Sequence, residues 1–326
     1  MYTKFYGLKE KPFEITPDPK FLYLSENHKE ALALLTYAVR ERKGFTVVTG
    51  EVGTGKTTLV QSLLSKMDGN TKTAYLFNPI MGSTDFLHYI CQDLGLKSQK
   101  RSKGQYLSQL HKFLMACYSR NENVVLIVDE AHKLDPKLLE EIRLLTNLET
   151  PKSKLLQVIL IGQPELNEVL ENREFRQLKQ RVSLRYHVDP LNREDTWKYI
   201  KRRLRIAGAF DHNIFTPKAL NEIFNYSQGI PRLINIVCDN ALLTGYATDQ
   251  KVIGHKTIHE VINNLEGFSP QKKQRKIILF KLIPIVLLSL VALIVLVSLL
   301  SSKWEITGWI IQFFKNVIFN FYHRTF

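Results

Sequence analysis

Phe45–Thr58 reads FTVVTGEVGTGKTT, a short β-branched run that gives way to glycines and then to a lysine and threonines. Phe45–Thr49 predicts a buried strand, and Gly55–Met67 the helix after it. Between them, Gly50-Glu51-Val52-Gly53-Thr54-Gly55-Lys56-Thr57 fits G-x-x-x-x-G-K-[ST], and it stands after a strand and at the opening of a helix, where that pattern carries meaning. The residue types follow from the task of holding a polyphosphate. Glycines let successive backbone N–H groups turn inward around phosphate oxygens. The helix N-terminus adds the positive end of its dipole. Lys56 is expected to reach the β- and γ-phosphates and the Thr57 hydroxyl to take a place on Mg²⁺. Gly50 through Thr58 are the candidate nucleotide-binding residues.

Outward along the chain, Val124-Val125-Leu126-Ile127-Val128 is a second apolar strand, and it ends in Asp129-Glu130. Asp129 is expected to hold Mg²⁺, directly or through water. Glu130 is placed to orient and deprotonate an attacking water. Ala131 and His132 extend the string to DEAH, but the other sequence blocks of a helicase are not evident. Further strands are expected at Thr73–Phe77, Leu155–Ile161 and Val182–Val188, and helices at Thr84–Leu94, Gln105–Tyr118 and Pro136–Leu148. Strands apolar on both faces and separated by helices predict an α/β fold, a parallel sheet with helices on both faces.

Before this core, the three prolines of Lys11–Lys20 predict a stiff extended arm. Ser25 can cap a helix running to about Lys43, with Leu32, Leu35, Tyr37, Ala38 and Val39 on its buried side. After Pro190 the strands stop. Helices at Glu194–Ile206, Pro217–Tyr226, Pro231–Tyr246 and Thr257–Leu265 predict a small all-helical lid domain. The expected division is 1–44 for the arm and first helix, 45–190 for the core and 191–266 for the lid. A basic linker, 267–276, a transmembrane helix, 277–300, and an amphipathic tail, 301–326, complete it.

Of 326 residues, 45 are Lys or Arg and 31 Asp or Glu, a net charge of +14, and 44% are hydrophobic. Such a composition excludes a wholly disordered chain and a polytopic membrane protein. Cys91, Cys117 and Cys238 stand far apart, which fits neither a disulfide framework nor a zinc site and suits a reducing cytosol. Lys4, Lys9, Glu10 and Lys11 break up any apolar stretch that would make a signal peptide.

The charge is uneven. Residues 267–326 hold eight basic residues against Glu305 alone. Within them Leu282–Leu300 carries no charge and spans about 28 Å as an α-helix, close to the roughly 30 Å of a bilayer's hydrocarbon core. Lys272, Lys273, Arg275 and Lys276 outnumber the positives beyond Ser301, so residues 1–276 are expected in the cytosol. Ile306–Phe321 has one broad apolar face, which suits a helix on the membrane surface or a second, tilted span. On the lid, Lys198, Lys201, Arg202 and Arg205 share a face opposite Trp197, Ile200 and Leu204. That face is expected to be solvated, with anionic lipid as the next choice.

A phosphate loop, then Asp129-Glu130, then a helical domain resembles the AAA+ ATPases. Phe5-Tyr6-Gly7-Leu8, Pro12-Phe13, Thr16-Pro17-Asp18-Pro19, IGQPEL at Ile161–Leu166, QRVSLRY at Gln180–Tyr186 and GIPRLIN at Gly229–Asn235 narrow the resemblance. Together they look like the ExeA/GspA-type ATPases of general (type II) secretion and related ATPases of pilus and exopolysaccharide loci, over about residues 1–266. The resemblance implies ATP and Mg²⁺ as cofactors and a homo-oligomer, a ring, with sites shared between subunits at the bacterial inner membrane. It implies partners among secretion, pilus or polysaccharide-export components. Gln163 matches the sensor-1 position, Arg181 the arginine finger with Arg176 as the alternative, and Arg232 sensor 2. Fuller members carry a periplasmic peptidoglycan-binding region after the membrane helix, whereas 26 residues follow Leu300 here. The implied activity is ATP hydrolysis that assembles or energises an envelope export machine. A slow ATP-dependent switch or scaffold is the second possibility. A DNA-associated regulator like TniB or TnsC is the third, and the membrane helix speaks against it, so nucleic acid is not an expected partner.

Overall fold

In the computed structural model, residues 1–16, 18–96, 102–210 and 213–267 are described. Five strands form one parallel sheet: β1 Phe45–Gly50, β2 Thr71–Leu76, β3 Asn123–Val128, β4 Gln157–Gly162 and β5 Leu184–Val188. Their order is β2-β3-β4-β1-β5. The central strands β1 and β4 are buried along their whole length, as their mostly apolar, β-branched sequences fit. At the two edges burial alternates along β2 and β5, because only one side of an edge strand's pleat is covered.

Helices cover both faces of the sheet. On one, α2 (Glu26–Arg40) and α3 (Lys56–Lys66) bring Leu32, Leu35, Leu59 and Leu63 onto Val48, Val125, Ile127 and Ile159. On the other, α4 (Ser83–Asp93), α5 (Lys103–Ser119) and α6 (Pro136–Leu145) bring Phe86, Ile90, Leu114 and Leu138 onto Phe45, Val47, Leu126 and Val158. Local chemistry sets the helix starts. Ser25, Ser102 and Asp135 each accept a backbone N–H of the first turn.

After β5 come α9 (Arg193–Ile206), α10 (Pro217–Ser227), α11 (Pro231–Ala247) and α12 (His255–Gly267). Three short helices lie outside the sequence expectations: α1 (Tyr2–Phe5), α7 (Glu165–Glu171) and α8 (Arg176–Lys179). Contacts divide the chain into Met1–Ile262 and Asn263–Phe326, and only Asn263–Gly267 of the second unit is described.

Two expectations need correction. Lys11–Lys20 is not an extended arm. Phe13 is fully buried and meets the Phe215 ring edge-on at 6.2 Å, and Pro19–Phe21 forms a 3-10 turn. Lys9 N–H donates to the Ala207 carbonyl, and Tyr6 Oη to the Gln250 carbonyl, so the segment folds onto α9 and α11 instead of projecting. Tyr37 lies on the outer side of α2 and is 48% exposed. Among the described residues no helix is long and apolar enough to cross a membrane. The expected spanning helix 277–300 and the tail 301–326 lie outside the described residues.

Candidate functional site

Strand order decides which loops meet. β4 lies between β1 and β3, so Gln163, one residue beyond its end, emerges between the glycine-rich turn after β1 and Asp129-Glu130 after β3. All three leave the carboxyl ends of parallel strands, where such sheets bind ligands.

The turn after β1 is shaped by its glycines. Gly53 has φ +84°, and a Cβ there would lie 2.6 Å from Arg232 Cβ. Gly55 has φ +98° and lies against the His28 ring. His28 was not singled out in the sequence. It is buried, with Nδ1 2.7 Å from Ser25 Oγ and Nε2 2.9 Å from the Thr54 carbonyl. α2 thereby braces the underside of the loop. Burial pushes the His28 imidazole below its ordinary pKa.

Lys56 is nearly buried, and its Nζ donates to the Gly50 carbonyl at 2.7 Å and the Glu51 carbonyl at 2.8 Å. Burial pulls its ammonium below the ordinary lysine range, while Glu130, Asp129 and Glu51 oppose that pull. Beside it, Thr57 Oγ1 donates to Asp129 Oδ2 at 3.3 Å. Tyr75 Oη donates to the same oxygen at 3.0 Å, and the Glu130 N–H donates to Asp129 Oδ1 at 2.8 Å. Burial and then the Asp129 charge push the Tyr75 phenol well up, so it stays a donor. Asp129 is therefore a fixed carboxylate with one oxygen turned toward Thr57.

Glu130 takes φ +52°, a left-handed residue that turns the chain sharply into Ala131–Lys133. Its carboxylate lies 3.0 Å from Lys133 Nζ and 3.5 Å from His132 Nε2. Gln163 closes this group, with its side-chain nitrogen 2.9 Å from His132 Nε2.

A cavity of about 410 Å³ gathers these loops. Val52, Gly53, Thr54, Gly55, Lys56, Thr57 and Thr58 line it together with Glu130, Gln163 and Arg232. Gly50 and Glu51 contribute the carbonyls that hold Lys56, and Asp129 reaches the cavity through Thr57. Arg232 opens α11 after Pro231, and its N–H donates to the Gly53 carbonyl at 3.4 Å. Glu14, Ile15, Thr16 and Phe21 from the N-terminal segment complete the wall, with Tyr199, Arg203 and Asn235 from the helical region. Arg203 is 5% exposed. It donates to the Pro12 carbonyl at 2.5 Å and to Tyr199 Oη at 2.6 Å, and its guanidinium lies 4.8 Å from the Phe21 ring centre. The sequence held a signal for it, since Thr196, Tyr199, Ile200, Arg203 and Leu204 keep helical spacing on one buried stripe.

Two expected residues are not part of this cavity. Arg181 lines a different one with Lys43, Phe45 and Thr146, and it donates to the Thr146 carbonyl at 3.2 Å. Arg176 is exposed at the start of α8.

A family model described as an AAA domain matches residues 39–170. The chain carries an AAA domain. It is also similar to General secretion pathway protein A of Aeromonas hydrophila, 47% identical over 260 residues that cover 79% of this chain and 47% of that protein. The chain thus spans about half the length of this relative. Among solved structures it is similar to the Aeropyrum pernix ORC2 protein in its ADPNP–ADP complexes, with TM-score 0.60, 16% identity, and 82% of this chain and 74% of that chain covered. Cdc6p from Pyrobaculum aerophilum gives TM-score 0.56, 18% identity, and coverage of 73% and 68%. At such identities these two show the fold alone. The AAA domain establishes the P-loop NTPase fold, and the resemblance to the GspA type stands across most of the chain.

Proposed function

We propose that the chain is an Mg²⁺-dependent AAA+ ATPase that works as a homo-oligomer, a ring, at the bacterial inner membrane and assembles or energises an envelope secretion machine. The observation that carries this is the convergence of Lys56, Glu130 and Gln163 on one cavity, with the Thr57 hydroxyl at its wall and the Asp129 carboxylate behind that hydroxyl.

The residues fit the group they would hold. Thr57 Oγ1 and Asp129 Oδ2 are two hard oxygens within hydrogen-bond distance of one another, the donor type Mg²⁺ takes. Among the described residues no three His, Cys, Asp or Glu side chains form a metal cluster of their own. An ion here would draw its other ligands from phosphate and water, as Mg²⁺ does in nucleotide sites. Bound Mg·ATP supplies the γ-phosphoryl group and a metal that neutralises its developing charge. Lys56 binds the phosphate oxygens. Glu130 takes a proton from water at its carboxylate, and Gln163 orients that water. Arg232 ties the helical region to the bound nucleotide through the phosphate loop.

Arg181 belongs to the same scheme as the arginine supplied to a neighbouring subunit, with Arg176 the alternative. Its position beside Phe45, away from its own Lys56, supports a role in trans. Membrane attachment is supported by the uncharged run Leu282–Leu300 and the basic residues before it, with the ATPase facing the cytoplasm. The secretion role is supported by the 47% identity to General secretion pathway protein A.

Turnover and binding measured on the same preparation test the proposal. Glu130→Gln should bind ATP as the parent chain does and lose hydrolysis by about 10²–10⁴-fold. Parent-like turnover by that variant would remove Glu130 from the role given to it.

A further inference from the structure

We propose that Tyr75 is a positioning residue for Asp129, holding its carboxylate so that one oxygen serves Thr57 when Mg²⁺ is bound. This role rests on Thr57 and Asp129 being the metal residues of the proposed ATPase.

Tyr75 stands on β2, an edge strand, and its backbone is pinned from outside the sheet. Its N–H donates to Asp93 Oδ2 at 2.7 Å, and its carbonyl accepts the Tyr89 hydroxyl at 2.9 Å. Asp93 and Tyr89 both belong to α4, so side chains of that helix cover this part of the strand's open edge. The Tyr75 ring lies 4.2 Å, centre to centre, from the Phe77 ring. Backbone and ring are both held, and the hydroxyl is carried to a set place.

At that place Tyr75 Oη donates to Asp129 Oδ2 at 3.0 Å. Leu76, the next residue of β2, accepts the Asp129 backbone N–H at 2.8 Å. β2 therefore grips Asp129 twice, by its main chain and by its carboxylate. The carboxylate's other donors are Thr57 Oγ1, to Oδ2 at 3.3 Å, and the Glu130 N–H, to Oδ1 at 2.8 Å.

This division of donors makes Tyr75 matter. The Glu130 N–H fixes one oxygen and leaves the carboxylate free to pivot about it. Tyr75 fixes the second oxygen from a different strand. The lone pairs of Oδ2 are then shared between Tyr75 and Thr57. A threonine oxygen given to Mg²⁺ keeps its proton, and Oδ2 is the acceptor that proton meets. Without the phenol hydroxyl, Oδ2 is left with the longer Thr57 bond alone, and the carboxylate can turn away. Partners behind the groups that hold a metal orient them in this way.

The test is the affinity of the full chain for the β,γ-imido analogue of ATP, measured across Mg²⁺ concentrations and in EDTA. It compares the parent with Y75F, D129N and Y75F/D129N. Y75F keeps a ring against Phe77 and removes only the hydroxyl. Y75F should need about 10–100-fold more Mg²⁺ to reach half of its gain in affinity, the range for a lost supporting partner at a metal site, with affinity in EDTA unchanged. In the D129N background Y75F should cost nothing further, because its effect passes through Asp129. A parent-like Mg²⁺ requirement in Y75F would overturn the proposal. So would an equal loss of affinity in EDTA, which marks a structural residue, or a further loss in the D129N background. A parent chain whose affinity ignores Mg²⁺ would instead sink the metal site itself, while a Mg²⁺-dependent parent beside a parent-like Y75F sinks only the Tyr75 role.

Discussion

Arg181 and Lys56 stand at opposite ends of β1. Lys56 Nζ donates to the carbonyl of Gly50, the last residue of that strand, while Arg181 lines a cavity with Phe45, the first. Six residues at a strand rise of about 3.3 Å place those ends roughly 16 Å apart. The guanidinium is anchored there by Thr146, the C-cap of α6, where a cation also meets the negative end of the helix dipole. The relationship separates the proposed nucleotide site from the arginine proposed to act on a neighbour.

Gly229 should resist replacement. It has φ +77°, its carbonyl accepts the Leu191 N–H at 2.9 Å, and a Cβ there would overlap the Leu191 carbonyl. The turn it makes delivers Arg232 to Gly53. Gly229→Ala is expected to lower stability by more than about 1 kcal/mol, read as a fall in thermal midpoint. Gly69→Ala, whose Cβ meets nothing within 4 Å, should leave the midpoint in place.

His28 sets an acid limit. Burial holds its folded pKa below the ordinary 6.5, so the unfolded chain binds a proton more readily than the folded one. Its contribution to stability is therefore fully present above the unfolded pKa and declines as pH falls through 6.5 toward the lower folded value. Stability of the parent should drop between pH 7 and about 5, more steeply than that of His28→Gln, when followed by denaturant unfolding. Parallel curves for the two would assign the acid sensitivity elsewhere.

Arg203 joins the N-terminal segment to the helical region. Replacing it with Met removes the donors to the Pro12 carbonyl and Tyr199 Oη while keeping much of the side-chain volume. The buried Pro12 carbonyl then loses its donor and Tyr199 Oη keeps only its bond to Asn235 Oδ1, at a cost of about 1–3 kcal/mol. Because Glu14–Thr16 line the cavity proposed to take ATP, KM for ATP should rise more than kcat falls. Limited proteolysis should cut the chain first within residues 9–16, and an uncleaved segment with unchanged KM would contradict the role.

Much of this architecture was legible because it is local. β1 is a short β-branched run, β3 is apolar without a break from Val124 to Val128, Pro136 follows its Asp135 cap, and the phosphate loop names its own residues by spacing. The arm was misread because proline fixes φ without saying what the chain packs on. Phe13 finds its partner Phe215 some two hundred residues away, a distance no local pattern spans. His28 and Tyr75 support the site from separate elements, and only the fold brings them to Thr54 and Asp129. His132 was visible in the DEAH string, but its partner Gln163 lies just past the end of β4, some thirty residues further along the chain. Arg203 was legible in principle, since helical spacing put it on the buried stripe, but its charge argued for solvent.

The account turns on whether one subunit's Arg181 serves another subunit's Lys56, and mixing two defective proteins measures this directly. Arg181→Ala and Lys56→Ala chains, each purified and inactive alone, are combined over a range of ratios and assayed for ATP hydrolysis. Subunits with an intact Lys56 but no arginine should recover turnover from neighbours that lack Lys56 and keep Arg181, giving partial activity that peaks in the mixtures. A rate that stays at the level of the separate variants at every ratio would contradict sites shared between subunits.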